Sequence, residues 1–85
     1  MSDERERLQT LRMLLTVAEG PYRFIELVQP RATHHEAIAA VEAEYAVTEG
    51  LARAALGAPF RYVTHEQIDR LRAEIDELEQ RLLRE

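Results

Sequence analysis

Residues 64–84, THEQIDRLRAEIDELEQRLLR, decide how the rest of this chain is read. Ile68, Leu71, Ile75, Leu78 and Leu82 follow one another at alternating steps of three and four. Side chains at those steps lie on one face of a helix, so the spacing makes an apolar seam that packs against another helix. Thr64 and Gln67 frame its start. A threonine hydroxyl can accept the amide of the third helical residue, and a Gln there can reach back to the threonine amide. The predicted helix runs from His65 to Arg84, roughly 30 Å at ~1.5 Å per residue. Glu66/Arg70, Arg70/Glu74 and Glu77/Arg81 sit four apart on its polar face and can pair.

A seam needs a partner, and the N-terminal stretch supplies one. Leu8, Leu11, Leu15, Ala18, Tyr22 and Ile25 repeat the same three–four steps. Residues 1–28 therefore read as a first arm helix. Gly20-Pro21 should kink it or break it briefly, redirecting the axis, because proline lacks an amide donor and clashes with the preceding turn. Thr33-His34-His35-Glu36 has the form of a second cap, opening a helix over His34–Tyr45 with Ala37, Ile38, Val41 and Tyr45 on one stripe. Thr48 can cap a short, alanine-rich helix over Glu49–Leu56, with Gly57 as its stop signal. Residues 33–57 thus hold two short helices. Ala58–Val63 reads as irregular, and residues 64–85 form the second arm helix. The expectation is one all-α domain over residues 1–85: an antiparallel hairpin of two long helices, capped at one end by two short ones.

Composition narrows the function. The chain has 85 residues, no Cys, and a net charge of −5 from 11 basic and 16 acidic side chains, every basic one an Arg. Affinity for nucleic acid rests mainly on cations neutralising phosphates, so direct nucleic-acid binding is not expected. Without Cys there are no disulfides, thiolate metal sites or Cys nucleophiles. No apolar run approaches the ~20 residues of a membrane span, and the charged opening MSDERERLQT has no signal-peptide core, so a cytoplasmic location is expected. A chain this short buries a limited core, and oligomerisation is a common way to add to it.

The order of these segments resembles the coiled-coil tip and exit gate of the type IIA topoisomerase A subunit, the family of DNA gyrase A and topoisomerase IV A. Leu14-Leu15-Thr16-Val17-Ala18 and Ile25-Glu26-Leu27-Val28 resemble the end of the descending arm. Thr33–Ala37 and Val41–Tyr45 resemble the next helix, and Val47-Thr48-Glu49 with Ala52, Ala55 and Leu56 the one after it. Phe60–Thr64 and Ile68–Leu78 resemble the turn and the ascending arm. Gly20-Pro21 and Leu56-Gly57-Ala58-Pro59 depart from the pattern. The resemblance implies a non-catalytic dimerisation module with no cofactor and no metal. It implies a two-fold homodimer closed by the tip, with Leu51, Ala55, Leu56, Phe60 and Tyr62 at the contact and Leu8, Leu11, Leu15, Ile25, Ile68, Leu71, Ile75, Leu78 and Leu82 in the arm seam. Its implied partners are a second copy and the DNA gyrase A subunit. The family's tyrosine, metal-binding, ATPase and DNA-wrapping domains have no counterpart in the sequence.

Other readings of the same residues are blander or more remote. A general coiled-coil adaptor would use the same seam on a helix of an unrelated protein. Leu71-Arg72-Ala73-Glu74-Ile75-Asp76 is similar to the opening helix of small helical chorismate mutases, but it lies at the chain's end and no Lys exists. Tyr22, Tyr45 and Tyr62 fit packing stripes or the cap rather than a nucleophile's surroundings. His34, His35 and His65 stand in first helical turns without the i,i+4 spacing of a helical metal pair. The acidic residues Glu74, Asp76, Glu77 and Glu79 alternate with arginines, as on a solvated face.

Overall fold

A computed structural model describes residues 2–57 and 64–84. The fold is all-α. Five helices follow in order among the described residues: α1 (Ser2–Glu19), α2 (Pro21–Val28), α3 (His34–Tyr45), α4 (Glu49–Gly57) and α5 (His65–Leu83). None of them is long and apolar enough to cross a membrane.

The caps hold the helices where side-chain chemistry places them. The Thr64 hydroxyl accepts the Gln67 amide at 3.1 Å, and the Thr64 amide donates to the Gln67 side chain at 3.2 Å, a complete capping box. At α3, Thr33 Oγ1 accepts the Glu36 amide at 3.1 Å and donates to the Glu36 carboxylate at 3.3 Å. Glu36 therefore braces the cap hydroxyl. At α4, Thr48 Oγ1 accepts the Leu51 amide at 3.3 Å. The end of α3 is left-handed at Ala46 (φ 54°, ψ 49°), whose amide bonds the Glu42 carbonyl. A left-handed residue there satisfies orphan carbonyls of the last turn, at a steric cost that alanine bears and glycine does not.

The expected first arm helix over residues 1–28 is two helices. Pro21 has no amide to offer the Val17 carbonyl and would crowd it in a continuous helix. The Gly20 amide takes that carbonyl instead, at 3.1 Å in a tighter turn, and Pro21 opens α2 at its first position, where a missing donor costs nothing. The break removes two residues from the expected seam. Tyr22 is 79% exposed, and Ile25 is half-buried and belongs to neither apolar cluster.

Two separate clusters form the interior. In one, Leu8, Leu11 and Leu14 of α1 meet Leu71, Ile75 and Leu78 of α5, with Leu15 and Leu82 at its edges. The other joins Met13 and Val17 of α1 to Phe24, Ile38, Val41, Ala52 and Ala55 from α2, α3 and α4. At ~100° per residue the two sets on α1 point about 140° apart, so α1 is amphipathic in two directions at once. Glu4 pairs with Arg81 and Glu19 with Arg72, so α1 and α5 run in opposite senses. Among the described residues α5 packs against α1 and against no other helix.

Candidate self-association surface

The seam residues divide. Leu8, Leu11, Leu71, Ile75 and Leu78 are buried together, and Leu15 and Leu82 lie partly buried against them. Ile68 is half-buried but belongs to neither cluster. Leu14, outside the expected seam, joins the buried set beside the partly buried Leu15.

Both rims of this seam are charged. On one, Arg7 bonds Glu74 at 2.7 Å and Arg81 bonds Glu4 at 3.0 Å. On the other, Arg12 bonds Glu79 and Arg72 bonds Glu19, the latter at 2.6 Å. Each helix gives two arginines and two glutamates, so the pairs fix direction and register as well as adding attraction. The carboxylate hydrogen bonds hold the Arg72 and Arg81 guanidinium groups above their ordinary range. Within α5, Arg70 pairs with Glu66 and Arg81 also with Glu77, as the four-residue spacing predicts, whereas Glu74 turns to Arg7 rather than to Arg70.

The α4 residues expected at a dimer contact divide as well. Ala55 has no exposed surface: it is packed inside its own chain with Ala52, so it has nothing left to offer a partner, and its assignment to the dimer contact is corrected on that ground. Its small side chain serves to bring α4 close to α1 and α3. Leu51 and Leu56 flank that inner face and are only half-buried, packed at the margin of the cluster. Phe60 and Tyr62 lie outside the described residues.

One polar constellation had no signal in the seam pattern. Arg23 on α2 bonds Glu44 on α3 at 2.8 Å and stacks its guanidinium over Tyr45, 4.7 Å from the ring centre. Tyr45 in turn meets Phe24 at 6.2 Å with the rings inclined by 50°. The Tyr45 hydroxyl is buried without a hydrogen-bond partner. Burial pushes its pKa up, the Arg23 charge works against that, and Glu44 adds to it. The sequence clue was the pair of adjacent apolar residues Phe24 and Ile25, of which only the first turns inward.

His34, His35 and His65 are exposed, and among the described residues no three His, Asp or Glu side chains gather as a metal site would need. Eight of the charged groups pair with one another across the two rims of the α1–α5 seam. The chain matches no protein-family model, no curated protein and no solved structure.

Proposed function

We propose that this chain is a non-catalytic self-association module that pairs with its own copy about a two-fold axis. In this reading α1 and α5 form a coiled-coil hairpin, α3 and α4 cap its end, and α4 carries the contact. The observation that carries it is the state of Leu51 and Leu56. Two leucines flank the inner face of one short helix, and neither is fully covered by its own chain. Burying them against a twin returns ~25 cal/mol for each Å² of apolar surface removed from water. A small chain with two small clusters gains from this more than a large one does. Chemical catalysis has no comparable support, because charged side chains are spent on ion pairs along the helix rims. The resemblance in helix order to the type IIA topoisomerase gate extends the proposal: the module exchanges with or docks on the gate of the DNA gyrase A subunit.

Sedimentation over the micromolar range tests the core of this reading, with the wild-type chain expected as a dimer. Leu56→Asp and Leu51→Asp place a charge in the contact, which is costly unless paired, so both variants are expected as helical monomers. Far-UV circular dichroism checks that each remains folded. Folded variants that stay dimeric would misplace the contact, and a wild-type monomer at high micromolar concentration would end the proposal. Co-elution with purified gyrase A subunit tests the extension separately.

A further inference from the structure

The isolation of α5 has a consequence for how two copies associate. Among the described residues α1 is the helix on which α5 packs, through Leu71, Ile75 and Leu78 on Leu8, Leu11 and Leu14 and through the four rim ion pairs. The second cluster contains no residue of α5. α5 can therefore leave without opening the body formed by α1–α4, and the surface it leaves on α1 matches the α5 of any other copy.

We propose that α5 exchanges between copies, so that the dimer has a form in which each α5 packs on the partner's α1. This rests on the reading of the chain as a module that pairs with itself, for a quantitative reason. In a lone chain the tethered α5 has an effective concentration of millimolar order and outcompetes a free copy. When two chains are held together by another contact, both α5 helices are near both α1 faces, and the advantage of the tether falls. The closed and exchanged forms contain the same packing and the same ion pairs, so little energy separates them. Such exchange of an identical element is a low-cost route to a dimer.

The ion pairs provide the test, through two variants. The acidic variant carries Arg7→Glu and Arg12→Glu on α1. The basic variant carries Glu74→Arg and Glu79→Arg on α5. All four positions are substantially exposed, so both variants should fold. Alone, each has two like-charge contacts between α1 and α5, whether closed or exchanged, and should melt below wild type. Mixed, only an exchanged heterodimer opposes charges of opposite sign everywhere. The new α1 glutamates of the acidic variant then face the new α5 arginines of the basic variant, and the two unaltered helices retain the native pairs. The expected result by native mass spectrometry is the heterodimer as the dominant species, with the melting temperature returned to that of wild type. A single chain bearing all four substitutions, paired in cis, sets the reference for full repair. A statistical mixture of the heterodimer and both homodimers, with melting unrepaired, would overturn the exchange while leaving self-association intact. Monomers in the mixture, alongside a wild-type dimer, would overturn it too. A wild-type monomer would instead remove the reading on which the proposal rests.

Discussion

The two halves of this molecule solve the same problem by different means. The α1–α5 pair buries six large aliphatic side chains, Leu8, Leu11, Leu14, Leu71, Ile75 and Leu78, and lines both rims with ion pairs. The body of α1–α4 buries a mixture of sizes, from Phe24 to Ala52 and Ala55, with a single inter-helix ion pair among the described residues, Arg23–Glu44. Two helices cannot surround a seam, so its edges meet water, and charged side chains cover them with their aliphatic stems. Four helices can close around a centre, and Val41, Ala52 and Ala55 are fully enclosed there. Small residues on α4 let the backbones approach, while Phe24 fills the space between α2 and α3. An arm of the first kind specifies direction through charge. A body of the second kind specifies its arrangement through the fit of unequal side chains.

This contrast predicts unequal and separable responses to damage. Phe24→Ala, in the body, should have the largest effect, about 3–5 kcal/mol of lost stability, and should expose amides throughout α2, α3 and α4. Leu71→Ala, in the arm, removes a side chain with no exposed surface and should cost about 2–5 kcal/mol. Its signature should be local: in native-state hydrogen exchange, α5 amides lose protection while those of α3 keep theirs. Equal loss of protection in α3 and α5 for both variants would mean that the two clusters behave as one.

Tyr45→Phe sharpens the account of the body. An unpaired buried hydroxyl costs about 1–3 kcal/mol, so its removal should stabilise the chain or leave it unchanged, against the usual direction for a core substitution. The pH dependence has a defined sign. Burial raises the Tyr45 pKa in the folded chain, so the protonated phenol favours folding. That contribution is full below the unfolded value of about 10 and is lost as pH rises from there through the folded pKa. Denaturant titrations above pH ~10 should therefore show stability falling less steeply in Tyr45→Phe than in wild type. A wild-type slope retained by the variant would remove Tyr45 from the explanation.

The smallest effect is expected at the end of α3. Ala46 holds a left-handed conformation that costs an alanine roughly 1–2 kcal/mol, and glycine offsets part of the gain through its greater freedom when unfolded. Ala46→Gly should raise stability by about 0.5–1 kcal/mol, read as a higher midpoint in urea with an unchanged slope.

Much of the helical layout was legible because its determinants are local. Thr64 with Gln67, Thr33 with Glu36, and Thr48 with the Leu51 amide begin three helices through bonds spanning three residues. The seam of α5 was equally plain, since one strict spacing permits one apolar face. Phe24 was less so, because its inward turn depends on neighbours in α3 and α4, far away in sequence.

The limit of the sequence is clearest in α1. By itself the sequence determined an all-helical chain, the α5 seam and the chemistry of the caps, all of which act within a few residues. It could not determine that α1 serves two clusters, because Leu8, Leu11, Met13, Leu14, Leu15 and Val17 admit more than one face. Only the tertiary structure buried Leu14 beside a partly covered Leu15, gave Met13 and Val17 to a different core, and turned Tyr22 outward. The reason is physical: hydrophobic burial has no direction of its own, and a helix with apolar residues on several sides takes its orientation from the surfaces that close over it.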